Sequence, residues 1–269
     1  MCARERRRDH ALGVRVTVRG WLDRLVAPYA ILLLREATGR ADPIPHLAPT
    51  RAAALAASAR IGVWSLVAGV GASTVAALVA HRSTAAGTPA LLVDLDRRAP
   101  SQALRAGVQG ATVADALLRP GREGELVSRW SATPFLPGAP GSHGIAGARL
   151  VAVIDGAAGS RPAVIDLGCG AEALDPAVLA GCTRLVLCIG TRVAQLQAAF
   201  CAVPLLSEIA PPVALVVVGA GDDDARRIAD RLPWPLAATI PLDEHLSRDE
   251  FAARAPTLHA IDRLIRSLA

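Results

Sequence analysis

Two hydrophobic patterns alternate along most of the chain. Short unbroken apolar runs, "IGVWSLV", "PALLVDLD", "PAVIDLG", "RLVLCIG", "VALVVVGAG" and "PLAATIP", read as strands buried on both faces. Between them lie segments with apolar residues at helical spacing. These are "STVAALVAHRSTAAG" (stopped by Gly87), "AGARLVAVIDGAA", "DPAVLAG", "RVAQLQAAFCAVPLLSEI", "DDDARRIADRL" and "PTLHAIDRLIRSLA". "ATPFLPG" reads as a further short strand, and 101–130 as helical but less regular. Strands alternating with helices predict an α/β fold with a doubly wound, mainly parallel sheet.

The first 60 residues lack this rhythm. "GVRVTV" alternates like a short strand, and "WLDRLVAPYAILLLREATGR" is helix-like with a break at Pro28. "ADPIPHLAPT" carries Pro43, Pro45 and Pro49 and reads as a linker, and "RAAALAASAR" as a short helix. The expected organisation is an N-terminal appendage with a Pro-rich linker over 1–60 and one large domain over 61–269. The helix near 21–40 is a candidate for partner or peripheral membrane contact, or for docking on its own domain.

Composition changes this picture in three places. The uncharged stretch Ile61 to Ala80 is just long enough to cross a bilayer, but its glycines divide it into a strand and a helix, so it is assigned to the sheet. The formal charge is +5, and all 29 basic residues are Arg. A chain without Lys has a bias toward Arg, so its basicity argues only weakly for nucleic acid. The five cysteines include no CxxC pair, the six histidines show no metal spacing, and no apolar signal segment follows the charged start. Together these point to the cytoplasm.

The chemistry is concentrated after the first strand. In "GVGAST", Gly69 and Gly71 permit positive φ and a close backbone approach to an anion. The helix that follows points its free N–H groups and positive dipole end the same way. Gly69, Val70, Gly71, Ala72, Ser73 and Thr74 are therefore candidate phosphate-binding residues, with Ser73 a ligand for Mg²⁺. Two other readings remain open. Gly69-x-Gly71-x-x-Thr74 nearly fits the Rossmann GxGxxG, with Asp94 or Asp96 as its acid, which suits a nicotinamide-dependent oxidoreductase. Alternatively, the segment is a plain turn between core elements. Asp222, Asp223 and Asp224 begin a helix and are explained by its dipole and capping. Leu258, Ile261, Leu264, Ile265 and Leu268 line one side of the last helix, which suits core packing better than a membrane surface.

"VAGVGAST", Val67–Thr74, resembles the deviant Walker motif KGGVGKTT of ParA/MinD-type P-loop NTPase proteins. "LLVDLDRRAPS" is similar to that family's second strand with its paired aspartates, "AVIDLG" to its Walker B strand, and "LAATIPLDEHLSRDEFAARAP" to its late strand and acidic loop. The likeness covers about 61–269 and looks most like the TadZ/CpaE pilus-assembly and septum-site-like branch. It implies ATP or ADP with Mg²⁺ held by Ser73, Asp94 and Asp166, and Asp96 as the residue that orients water for hydrolysis.

The departures are as specific as the matches. Val67 and Ala72 stand where the family has its two lysines, and Gly219 where it has an Asn for the adenine. Arg97 and Arg98 follow Asp96 in place of Pro-Gln and are candidates to substitute for the lost charge. The expected protein is a degenerate Walker A pseudo-ATPase, a homodimer with weak nucleotide binding and little or no hydrolysis. It would act as a localisation or scaffolding factor, with pilus or secretion motor proteins as partners, recruited to a pole or the inner face of the membrane. The alternative is an active ATPase in partitioning or septum placement, bound to DNA or membrane.

Overall fold

A computed structural model describes residues 53–140, 144–207, 211–247 and 253–268. All belong to one compact unit. The expected strand, helix and linker within 1–50 lie outside the described residues.

Eight strands form a single sheet in the order β3-β4-β2-β5-β1-β6-β7-β8. They are β1 (Arg60–Ser65), β2 (Leu91–Asp94), β3 (Ser128–Trp130), β4 (Thr133–Leu136), β5 (Ala163–Cys169), β6 (Arg184–Gly190), β7 (Val213–Val218) and β8 (Leu236–Ile240). Every pairing is parallel except β3 with β4. The doubly wound, mainly parallel sheet expected from the sequence is therefore present. The antiparallel edge strand β3 was not legible in the irregular 101–130 stretch, because three residues carry too little pattern to read.

The described helices relevant here are α1 (Ala72–Ala85), α2 (Gln102–Ala106), α3 (Val113–Leu117), α4 (Gly147–Ala158), α5 (Pro176–Ala180), α6 (Val193–Leu206), α7 (Asp222–Ala229), α8 (Glu244–Ser247) and α9 (Ala255–Leu268). A helix was expected over "RAAALAASAR", but 53–59 is irregular and β1 begins at Arg60. Burial outweighs the high helix propensity of its alanines. Leu55 and Ala59 enter the core, and the Leu55 N–H donates to Ser83 Oγ at 3.1 Å.

Strand alternation divides the core into two. Ile61, Val63, Leu92, Val164 and Val186 face α1 and α9. Leu91, Val93, Ile165, Leu167 and Leu187 face α4, α5 and α6. Helix α1 lies between the sheet and α9, and is buried at every position from Val75 to Ser83. Helix α9 packs Ile261, Leu264, Ile265 and Leu268 inward and leaves Arg263 and Arg266 exposed, so it is a core helix rather than a membrane-surface one. Asp222, Asp223 and Asp224 occupy the first turn of α7, whose cap is Gly221 without a side-chain bond; their effect is through the dipole. No described helix is long and apolar enough to cross a membrane.

Candidate functional site

The alternation that sorts the core also places the carboxylates. Leu92 and Val164 face α1, so Asp94 and Asp166, two residues further along β2 and β5, face α1 as well. The strands pair in register, with Asp94 opposite Asp166. Both lie at the carboxyl edge of the sheet and are buried, 0% and 1% exposed.

The glycine loop arrives at the same place from β1. Ser65 Oγ donates to the Val67 carbonyl at 3.0 Å and turns the chain out of the strand. Gly69 and Gly71 take φ of 78° and 91°, the left-handed region where a side chain would be strained. A Cβ on either would meet nothing within 4 Å, so the loop faces open space. Val70 is buried, 2.9 Å from where a Gly190 Cβ would stand, and seats the loop against the end of β6. Gly71 caps α1 without a side-chain bond, and the first turn of α1 contains no acid. The first N–H groups of α1 are therefore left for an external acceptor.

Helix α2 closes over this end of α1. Gln102 is fully buried and makes three bonds. Its backbone N–H donates to Asp94 Oδ2 at 3.1 Å, and its Nε2 donates to the Ser73 carbonyl at 2.6 Å and to Asp166 Oδ2 at 2.9 Å. Its Oε1 has no partner. One turn on, Arg105 Nη1 donates to Thr74 Oγ1 at 2.9 Å. Asp94 Oδ1 accepts from the Asp96 N–H and Asp166 Oδ1 from the Gly168 N–H, each at 3.1 Å.

Burial pushes the carboxyl of Asp94 well above the usual carboxylate range, and the charge of Asp166 adds to this. Burial raises Asp166 too, while the Gln102 amide, the Ser73 hydroxyl and the Gly168 N–H draw it back. Two buried acids side by side, both reluctant to ionise, form a site that a cation would complete.

The structure therefore brings together the predicted residues Ser73, Asp94 and Asp166 with the loop Gly69–Thr74. A phosphate fits the uncapped helix end and the open face of the glycines. Mg²⁺ fits the two carboxylates, the Ser73 hydroxyl and the unpartnered Gln102 oxygen, since this ion takes oxygen ligands and keeps several waters. Ala72 is buried and Val67 half-buried, so the loop itself brings no cation. Among the described residues no group of three or more His, Cys, Asp or Glu could hold a metal, so any ion here draws on hydroxyl, amide and phosphate oxygens as well.

Asp96 stands beside the pair, near enough for its charge to raise both, but its carboxylate is engaged elsewhere. Its Oδ1 accepts from the Arg98 and Ala99 N–H groups at 2.9 and 3.1 Å, and its carboxylate sits 2.6 Å from where a Gly168 Cβ would stand. Arg97 and Arg98 do not replace the lost lysines. Arg97 pairs with Asp175 at 3.3 Å and Arg98 with Glu172, both on the rim of a cavity of about 220 Å³ that also takes in Asp96 and Cys169. Their local acids hold them there. Gln102 and Arg105 escaped sequence reasoning; their i, i+3 spacing was the available signal, and nothing in the chain says what that face touches.

No protein-family model matches the chain, and neither does any curated protein. Solved structures do. The ParA family ATPase from Chlorobium tepidum TLS superposes with a TM-score of 0.65 at 18% identity, over 78% of this chain and 99% of that one. MinD, the septum site-determining protein of Pyrococcus horikoshii OT3 complexed with Mg-ADP, gives 0.64 at 18% identity, over 78% and 95%. The MinC:MinD cell division complex of Aquifex aeolicus gives 0.65 at 15% identity, again over 78% and 95%. The chain thus has the fold of the ParA and MinD P-loop ATPases.

Proposed function

We propose that the protein is a ParA/MinD-like positioning factor that binds a nucleotide phosphate with Mg²⁺ weakly and hydrolyses it little or not at all. One observation carries the reading. A glycine loop, left-handed at Gly69 and Gly71, opens an uncapped helix beside the buried pair Asp94 and Asp166, yet contains no lysine.

The residues divide the work as follows. Backbone N–H groups of Gly69–Thr74 hold the phosphate of ATP or ADP. Ser73, Asp166 and Asp94 hold the metal, directly or through water, with the Gln102 oxygen beside them. Bound Mg²⁺ would neutralise phosphate charge. Without lysine, little else in the loop stabilises the charge that gathers on phosphoryl oxygens during transfer. Asp96, the candidate for orienting water, already accepts two backbone N–H groups.

The narrower reading is a TadZ/CpaE-like scaffold for a Tad-type pilus, acting as a homodimer with motor proteins as partners at a pole or the membrane. It is supported by the resemblance of Val67–Thr74 and the loss of both lysines. A partner protein also accords with the MinC:MinD complex among the similar structures. In this reading 1–60 is an appendage that captures the partner and 61–269 is the nucleotide domain.

Calorimetric titration with ATP, ADP and GTP, together with a phosphate-release assay, tests the proposal. Expected are binding in the high-micromolar to millimolar range and no turnover above background, unchanged by Asp96→Ala. Steady release that Asp96→Ala eliminates would establish the active ATPase instead. No binding of any nucleotide at millimolar concentration would leave the loop a plain turn.

A further inference from the structure

We infer that the outer face of α6 and α7 binds a second copy of this chain, turned about a two-fold axis so that the helices of the two copies run antiparallel. This names the surface of the homodimer in the reading above and rests on that homodimer, while bound nucleotide plays no part in it.

Helix α6 supplies the first observation. Its fourteen residues, VAQLQAAFCAVPLL, include no charged side chain. A helix on a solvated surface ordinarily turns charged and polar residues outward. Here Ala198, Ala199, Ala202 and Leu206 are buried, and the opposite side exposes Val193, Phe200, Cys201 and Pro204. Val193 is 84% exposed and Phe200 52%. Singly these would mean little, but at i, i+7, i+8 and i+11 they form one apolar stripe.

The second observation is independent and lies beside that stripe. A cavity of about 440 Å³ opens between α6 and α7, lined by apolar Leu196, Phe200 and Ile228 and by charged Asp224, Arg227 and Arg231. The volume is in the range that takes a ligand or a large side chain.

Charge selects the occupant. Helix α7 opens with Asp222, Asp223 and Asp224, ends with Arg226 and Arg227, and is followed by Arg231. Arg227 pairs with Asp224 at 3.4 Å, and Arg231 makes no ion pair among the described residues. A partner of one sign is repelled at one end of this helix. A second α7 running the other way sets aspartates opposite arginines at both ends, whereas a parallel one sets like against like. The face is complementary to itself, which is the property of a two-fold interface.

Size sets the strength. Fourteen residues make α6 about 21 Å long. A face two helices wide and that long belongs with the small interfaces, under about 1,200 Å² in total, so the dimer should be weak and concentration-dependent.

Sedimentation of the full-length chain over micromolar concentrations, with and without Mg-ATP, tests this. Wild type should pass from monomer to dimer at the same concentration in both. Phe200→Asp should weaken the dimer by about 30-fold or more, the loss of an aromatic anchor, and should melt as wild type does because the ring is half exposed. Arg231→Asp should also weaken it, and adding Asp224→Arg should recover the loss by exchanging the two ends. A short bismaleimide should link wild-type chains but not Cys201→Ser chains. A wild type that stays monomeric overturns the homodimer and this surface together, and leaves the phosphate-loop reading untouched. If a dimer forms but Phe200→Asp and Arg231→Asp pair as wild type does, or if Cys201→Ser links equally well, the surface is wrong while the homodimer stands. A dimer that requires Mg-ATP would likewise refute this surface.

Discussion

Replacing Asp262 by Ala should unfold this domain far more readily than its position near the chain end suggests. Arg82 on α1 and Asp262 on α9 form a bidentate pair, Nε to Oδ1 and Nη2 to Oδ2, both at 2.7 Å. Their side chains are only 1% and 5% exposed. The pair need not stabilise the fold relative to an apolar substitute, because removing both charges from water is costly. Breaking it is another matter, since Asp262→Ala takes the bidentate carboxylate away from a guanidinium buried between α1 and α9. The expected cost is about 3–5 kcal/mol. For a domain of this size each kcal/mol lowers Tm by about 2–4 °C, so the melt should fall by about 6–20 °C. Urea unfolding followed by circular dichroism measures it, with an unchanged m-value showing that the loss lies in the folded state. The double variant Arg82→Met with Asp262→Leu should regain most of the loss, since it leaves no buried charge. If Asp262→Ala costs under about 1 kcal/mol, water reaches the pair and the argument from burial fails. It fails equally if the double variant is no better than the single.

Ala72→Lys should restore the loop's missing cation and tighten Mg-ATP by about 10- to 150-fold in the same titration; an unchanged affinity would mean that residue 72 does not face the phosphate. Asp94 and Asp166 titrate above their unfolded value of 3.8, so from about that pH upward the folded protein holds protons that the unfolded chain has released. Their contribution to stability therefore declines as pH rises from about 4 through their raised values, and Mg-ADP affinity rises over the same window because the metal needs both groups ionised. Affinity that does not rise at all as pH increases from about 4 would contradict this. Val67 stands where the family's dimer-spanning lysine would be, so light scattering should find the same mass with and without ATP; a clear ATP-triggered doubling would overturn the degenerate reading.

The sequence by itself determined the sheet and the loop. Parallel strands buried on both faces announce themselves as apolar runs, and the glycines of "GVGAST" can hardly serve anything but positive φ at a strand-to-helix turn. These are local properties, set by a few neighbouring residues. Burial of charge is not local. Arg82 and Asp262 look like ordinary solvent residues along the chain, and only the packing of α9 on α1, 180 residues apart, makes them a buried pair. Arg97 and Arg98 follow Asp96 directly and were candidates to stand in for lysine, but Asp175 and Glu172 hold them on the rim of another cavity. Arg105 and Gln102 reach the site across 31 and 64 residues, Arg105 to Thr74 and Gln102 to Asp166. Their short helix α2 has no hydrophobic pattern strong enough to show which face it buries. Tertiary structure decided which arginine meets the loop, because that depends on where the fold carries each guanidinium and not on how near it lies in sequence.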